Sequence, residues 1–98
     1  MTLAQFKELK TQIAPLAKEY GLTYVAVFGS TARGEAGPKS DLDLLVRFGM
    51  PVGLLRFCAV ERKMARKLKK KVDMTSEEAV TPLFRKYIHK DIKVLYED

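Results

Sequence analysis

The chain has 98 residues, of which 47% are hydrophobic and 31% are charged, and this composition suits one soluble globular domain over residues 1–98. The net charge of +6 is compatible with an acidic partner, but much of the excess lies in residues 62–71, at the end of a predicted helix. We interpret these cations as a solvated helix end, because the segment has no aromatic side chains for stacking on bases, and direct nucleic-acid binding is not expected.

The cysteine, histidine and hydropathy content limits the class of protein further. Cys58 is the only cysteine and His89 the only histidine, so neither an internal disulfide nor a zinc-ligand set is expected. No apolar stretch approaches the length of about 20 residues that crosses a bilayer, and the N-terminus lacks the apolar core of a secretory signal. The protein is therefore expected to be cytoplasmic and not bound to a membrane.

The first part of the chain is predicted to form a helix and an interior strand. Apolar side chains recur every three or four positions over residues 2–20, which predicts a helix that Thr2 caps and Gly21 ends. Pro15 lies inside this helix, and because proline lacks an N–H we expect a kink or a break near residues 11–15. A strand at about residues 23–28 follows, and its near-continuous apolar character predicts burial on both faces.

After a predicted turn and loop, strands and helices alternate again. Gly49-Met50-Pro51 precedes the long helix, and Thr81-Pro82, a capping hydroxyl followed by proline, starts the last one. This order predicts an α/β (α+β) fold in which helices cover a small mixed sheet. The predicted strands are 41–47, 71–75 and 92–96, and the long helix is 52–69. The predicted apolar stripe of the long helix comprises Leu54, Phe57, Cys58, Met64, Ala65 and Leu68.

Two aspartates open the second predicted strand. Asp41 and Asp43 are two positions apart, so on a strand their side chains project from the same face, about 6–7 Å from each other. They repel each other unless cations lie between them, and Mg²⁺ prefers carboxylate and phosphate oxygens. Two such ions can clamp the attacking and leaving oxygens of a displacement at phosphorus. Asp73 in the third strand is expected to complete the metal site and to accept or orient the proton of an attacking hydroxyl.

The glycine-serine turn after the first strand is a candidate phosphate-binding element. Gly29 lets the backbone come close to a phosphate, and Ser30 adds a hydroxyl to the free N–H groups of the turn. Arg33 is a candidate for a bidentate phosphate contact and Lys39 for a looser one. A Walker A sequence is absent, so we expect the serine turn and metal ions to hold the phosphates.

Each of these features has an ordinary structural explanation when it is taken alone. A lone Asp-x-Asp is commonly a solvated strand end or a helix cap, and Asp73 alone fits an exposed strand residue. Arg33 fits a solvated loop arginine equally well. The combination of a glycine-serine turn after an apolar strand, paired aspartates opening the next strand and a third aspartate in a later one favours a functional site.

The motif segments resemble the minimal nucleotidyltransferases of the DNA polymerase beta superfamily. The resemblance rests on Gly29–Ala36, on Ser40–Val46 and on Val72-Asp73-Met74. It implies a nucleotidyltransferase fold, with a small mixed sheet of about four strands packed with helices. It also implies two Mg²⁺ ions as cofactors and a nucleoside triphosphate, usually ATP, as substrate.

The resemblance further implies residue roles and a partner. Gly29 and Ser30 then hold the triphosphate. Asp41 and Asp43 bind both metals, while Asp73 serves the metal and the acceptor. Members of the family often pair with a HEPN-domain ribonuclease as antitoxin and toxin, and the antitoxin silences the toxin by transferring AMP to a tyrosine. The resemblance thus implies Mg-dependent transfer of AMP from ATP to a hydroxyl of a HEPN toxin.

Three alternatives remain open from the residues. Larger relatives carry a helical domain that holds the acceptor, and because this chain has none, the acceptor site is expected to come from a partner or a second copy. A non-catalytic antitoxin that blocks its toxin by contact is one alternative. A small-molecule nucleotidyltransferase that acts as a homodimer is another, and a nucleic-acid binder that uses residues 62–71 is the third.

Overall fold

The structure, a computed structural model, describes residues 2–29, 42–88 and 91–98. The predicted order of helices and strands is confirmed within these ranges, whereas the turn and loop predicted between the first two strands lie outside them. None of the helices in this part of the chain has the length and apolarity needed to cross a membrane. The elements are α1 (Leu3–Tyr20), β1 (Leu22–Phe28), β2 (Leu42–Phe48), α2 (Leu54–Leu68), β3 (Val72–Ser76), a 3₁₀ turn (Glu77–Ala79), α3 (Pro82–Ile88) and β4 (Lys93–Glu97).

Helix α1 begins and ends at the predicted residues. The Thr2 hydroxyl accepts a hydrogen bond from the backbone N–H of Gln5 at 3.1 Å, and the Gln5 side chain accepts one from the N–H of Thr2 at 3.0 Å. This reciprocal capping box satisfies two backbone donors that have no partner inside the helix. Gly21 ends the helix in the left-handed conformation, with a φ of 77° that glycine adopts without steric cost.

The predicted break at Pro15 is absent, because α1 is continuous from Leu3 to Tyr20. Proline removes one hydrogen bond of the helix. Ile13 and Ala17, on either side of it, are fully buried in the core. Packing against the sheet therefore holds the helix together across the missing bond, since packing supplies most of the stability of a helix in a folded protein.

The strands of the described residues form one mixed sheet in the order β3-β2-β1-β4. Strand β1 is antiparallel to β2 and β4, whereas β2 and β3 are parallel. β1 is an interior strand, as predicted, and Val25, Ala26 and Val27 in it are fully buried. Because of these directions, the end of β1 and the beginnings of β2 and β3 lie at the same end of the sheet.

The two faces of the sheet carry different clusters of buried side chains. One face packs against α1 and α2 and forms the main core, in which Leu42 and Val72 are buried. Side chains alternate along a strand, so Asp43 and Asp73, which follow these two residues, belong to the second face. The cluster on the second face consists of Ala26, Phe28 and Leu45, against which Tyr24, Val80 and Ile92 pack.

The buried side of α2 differs from the predicted stripe. Leu54 was assigned to the stripe but is 77% exposed, whereas Val60 was not assigned to it and is 4% exposed. Met64 and Leu68 are buried as predicted, and the other three members, Cys58 among them, are partly buried. The spacing of apolar residues does not show how far a helix extends past the core, and the first turn of α2 exposes its leucines.

Met64→Ala should lower the free energy of unfolding by about 2–5 kcal/mol, because it leaves a cavity at a fully buried position. Leu54→Ala on the same helix removes an exposed side chain and should change this free energy by less than about 0.5 kcal/mol. Urea unfolding monitored by circular dichroism measures both variants. Equal losses in the two would show that the described core does not determine stability.

Candidate functional site

Asp43 and Asp73 lie side by side on neighbouring strands. The parallel pairing of β2 and β3 puts them opposite each other in the register, on strands about 4.8 Å apart. The backbone N–H of Leu42 donates to the carbonyl of Lys71 at 2.8 Å, which fixes this register where both strands begin. Asp43 is half-buried and Asp73 is exposed. Two carboxylates at this spacing repel each other and together attract a cation.

Gly29 brings the end of β1 against the carboxylate of Asp43. Phe28, the last residue of β1, is the register partner of Asp43, and Gly29 follows it with a φ of 74°. A Cβ placed on Gly29 would lie 2.7 Å from Oδ2 of Asp43, well inside the contact distance. The carboxylate of Asp43 can come this close to the backbone because residue 29 has no side chain.

Four of the predicted site residues lie outside the described part of the chain, namely Ser30, Arg33, Lys39 and Asp41. Their phosphate-binding and metal-binding roles stay predictions. Residues 29 and 42, which flank the segment that carries them, both lie at the end of the sheet where Asp43 and Asp73 meet.

The described residues include two of the three predicted metal ligands. No group of three or more histidine, cysteine, aspartate or glutamate side chains that could hold a metal ion occurs within residues 2–29, 42–88 and 91–98. Asp43 and Asp73 are two of the three predicted ligands, and Asp41 is outside these ranges. Paired carboxylates on neighbouring strands fit a hard divalent cation such as Mg²⁺.

An ion-pair network fastens the segment after β3 to the face that carries the two aspartates. Arg47 donates to Glu77 through Nε at 2.9 Å and through a terminal nitrogen at 2.7 Å, and Arg85 lies 3.8 Å from the same carboxylate. The Arg47 guanidinium also lies over the ring of Tyr24, 5.1 Å from its centre. Burial and the nearby acidic groups, Glu77 first among them, raise the pKa of Tyr24 above 10.0. Arg47 and Glu77 are 30 positions apart, so no local signal predicted their contact.

Helix α3 packs Phe84 against the end of β1. The Thr81 hydroxyl accepts from the N–H of Phe84 at 3.2 Å, which is the cap that the Thr81-Pro82 sequence predicts. The Phe84 ring meets that of Phe28 edge to face, with centroids 6.2 Å apart. This contact supports the residue that directly precedes Gly29.

A family model described as polymerase beta nucleotidyltransferase matches residues 11–98. The chain belongs to this family. Membership confirms the resemblance that the motif segments show, and it establishes that the protein is a nucleotidyltransferase. The acid pair is thereby a candidate for the catalytic centre of a nucleotidyltransferase.

Relatives of this nucleotidyltransferase match it over nearly their whole length. A Methanocaldococcus jannaschii protein, whose name places it among the protein adenylyltransferases, is 32% identical over 93 residues, which are 93% of this chain and 95% of the relative. Protein adenylyltransferase MntA of Thermococcus cleftensis is 29% identical over 93 residues, which are 94% of each protein. The similarity thus extends well beyond the aspartate and glycine-serine motifs.

Solved structures of nucleotidyltransferases share the fold. A minimal nucleotidyltransferase with 33% identity superposes with a TM-score of 0.76 over 95% of both chains. A complex of tri-AMPylated Shewanella oneidensis HEPN toxin with MNT antitoxin gives a TM-score of 0.72 at 18% identity, over 94% of this chain and 73% of the matched one. A toxin–antitoxin structure with AMP-PNP gives a TM-score of 0.78 at 20% identity, over 91% of this chain and 73% of the matched one. The predicted nucleotidyltransferase fold with a small mixed sheet is confirmed.

Proposed function

We propose that this nucleotidyltransferase transfers AMP from ATP to a tyrosine hydroxyl of a HEPN-domain toxin, depends on Mg²⁺, and acts as an antitoxin in the cytoplasm. The observation that carries the proposal is the pairing of Asp43 with Asp73, with the Asp43 carboxylate close against the backbone of Gly29. In a chain of this family, two such carboxylates at one end of the sheet are suited to transfer at phosphorus.

The similar proteins support the donor and the acceptor. Protein adenylyltransferase is the name of the Thermococcus relative, which supports AMP as the transferred group and a protein as the acceptor. The structure with AMP-PNP supports ATP as the donor. The complex of an AMPylated HEPN toxin with its MNT antitoxin supports a HEPN protein as the partner.

The proposed reaction is a displacement at the α-phosphorus of ATP. The tyrosine oxygen forms a bond to this phosphorus, the bond from the phosphorus to the oxygen that bridges to the β-phosphate breaks, and pyrophosphate leaves with the electron pair. The tyrosine proton passes to the carboxylate of Asp73 and from there to water. Asp73 is exposed, so a hydroxyl from another molecule can reach it.

The remaining site residues bind the nucleotide and the metal in this proposal. Asp41, Asp43 and Asp73 hold Mg²⁺, which when bound supplies positive charge to the phosphate oxygens and the leaving pyrophosphate. Ser30 and the backbone after Gly29 hold the triphosphate. Arg33 and Lys39 add contacts to it, the former bidentate.

Labelled ATP tests the proposal. The protein is incubated with Mg²⁺ and a candidate HEPN-domain toxin, with ATP labelled at either the α- or the γ-phosphorus. AMP transfer predicts that the toxin acquires the α-label only, on a tyrosine that mass spectrometry identifies. Asp41→Asn/Asp43→Asn should abolish the labelling. Asp98→Asn removes an exposed carboxylate outside the candidate site and should retain the labelling.

Three outcomes would contradict the proposal. Wild type that leaves the toxin unlabelled would exclude AMP transfer to this partner. Labelling that persists in the double variant would exclude the aspartates as the reacting centre. Protection of cells by the double variant without labelling would indicate an antitoxin that acts by contact alone.

A further inference from the structure

Glu61 of helix α2 bonds to the backbone of β3 directly beside Asp73. Its carboxylate oxygen Oε2 accepts a hydrogen bond from the N–H of Met74 at 2.7 Å, and the side chain is partly buried. We infer that Glu61 is a positioning residue, which holds Asp73 in the orientation that AMP transfer requires. This inference rests on the proposed function.

Among the described residues, no strand pairs with the side of β3 on which the N–H of Met74 lies. In the sheet that these residues form, β3 is an edge strand with β2 on its other side. The carbonyl of Lys71 faces β2, where it accepts from Leu42, so the backbone groups of Asp73 face β2 as well. The N–H of Met74 therefore points away from β2 and donates to the carboxylate of Glu61. Hydrogen bonds to a charged acceptor are stronger than those between neutral groups.

This hydrogen bond acts on Asp73 through a shared peptide plane. The N–H of Met74 and the carbonyl of Asp73 belong to the same rigid peptide unit and point in opposite directions. The carbonyl is directed toward β2 and the N–H toward Glu61, so the plane is held from both sides. Its orientation determines the direction in which the Asp73 side chain leaves the backbone, next to Asp43.

The acceptor itself is held by the main core. Glu61 follows Val60, which is 4% exposed, and precedes Met64, which is fully buried, on the side of α2 that packs toward the sheet. A core-anchored helix can thus transmit a fixed position to the edge strand. If the hydrogen bond from Met74 to Glu61 only satisfied an exposed backbone donor of an edge strand, it would contribute to stability and not to catalysis. A positioning role in addition predicts an effect on catalysis that requires Asp73.

Glu61→Leu and Glu61→Gln separate these roles. Gln keeps an acceptor oxygen at the same distance along the side chain, and its turnover should remain within about threefold of wild type, since only the charge assistance is lost. Leu has no acceptor, and its kcat for AMP transfer should fall by about 10- to 100-fold, the usual cost of removing a residue that orients a ligand or catalytic group. The KM for ATP at saturating Mg²⁺ should stay unchanged, because the proposed triphosphate contacts come from the segment that carries Ser30, Arg33 and Lys39.

Two controls exclude a merely structural effect. Ile13→Val weakens the core from helix α1 and leaves α2 and β3 unchanged in sequence, and it should lower the melting temperature while leaving kcat unchanged below that temperature. Hydrogen exchange at the Met74 amide reports the bond directly. Exchange should be slow in wild type and Glu61→Gln and fast in Glu61→Leu, whether or not the protein transfers AMP.

A double-substitution cycle tests the dependence on Asp73. Affinity for Mn²⁺ in the presence of AMP-PNP should fall in Glu61→Leu and in Asp73→Asn, and the double variant should be no weaker than Asp73→Asn alone. If Glu61→Leu lowered the Mn²⁺ affinity by the same factor in wild type and in Asp73→Asn, the inference would be wrong. An unchanged kcat in Glu61→Leu, while wild type transfers AMP, would also contradict it. Either result would leave the proposed function intact. Wild type that transfers no AMP would overturn the proposed function, even with the Met74 amide still responding to Glu61.

Discussion

Asp43→Asn is expected to lower the rate of AMP transfer by about 10³-fold, equivalent to about 4 kcal/mol of transition-state stabilisation. The substitution keeps the size of the side chain and removes its charge at the centre of the candidate site. Asp43 links the other described parts of this site, since it is the register partner of Asp73 and its carboxylate lies against Gly29. A metal ion that neutralises a polyphosphate requires this negative charge.

Single-turnover transfer of the α-label to the toxin measures the effect of Asp43→Asn. Asp98→Asn removes the same charge from an exposed position and should transfer AMP at the wild-type rate. Thermal melting adds a test that does not depend on the toxin, because Mg²⁺ and AMP-PNP should raise the melting temperature of wild type more than that of Asp43→Asn. A rate loss below tenfold would show that the carboxylate of Asp43 does not take part in the reaction.

Gly29→Ala is expected to reduce AMP transfer by about 100-fold, because its methyl group would displace the carboxylate of Asp43 and small displacements in an active site have effects of this size. The added Cβ would lie 2.7 Å from Oδ2 of Asp43. The carboxylate is the end of a side chain and can move away, so the chain can still fold, but the pair with Asp73 is then disturbed. The left-handed conformation of residue 29 adds about 1–2 kcal/mol of strain.

Gly21 offers a matched control for this substitution. Its φ of 77° is almost that of Gly29, at 74°, but a Cβ on Gly21 would have no neighbour within 4 Å. Gly21→Ala should therefore lose a similar amount of stability and keep its rate of AMP transfer. If both alanine variants lost activity to the same extent, strain in the backbone would explain the loss and the contact with Asp43 would not.

Local signals were sufficient to predict most of the elements. Thr2 and Gly21 set the ends of α1, the apolar run of β1 predicted an interior strand, and Thr81-Pro82 located the start of α3. The break expected near Pro15 does not occur, because the effect of a proline on a helix depends on the tertiary packing of its neighbours. Leu54 was misread because the position of a helix end relative to the core is not encoded in spacing.

The candidate site depends on contacts between distant parts of the chain. Alternation along a strand predicts the face on which an aspartate lies, but the register that pairs Asp43 with Asp73 arises from the order of the strands. The contact of Glu61 with Met74 and that of Arg47 with Glu77 join separate elements and have no local signature. The motif and the family resemblance supplied the roles of the residues between 29 and 42, which remain predictions.

In the proposed function, Asp41, Asp43 and Asp73 share divalent ions. Paramagnetic broadening of backbone amide signals by Mn²⁺, in the presence of AMP-PNP, tests it most directly. The predicted result is that the amides of all three aspartates broaden together at low Mn²⁺ concentration and that Asp43→Asn abolishes the effect. Binding of Mn²⁺ that broadens other amides and leaves those of Asp43 and Asp73 sharp would contradict the claim.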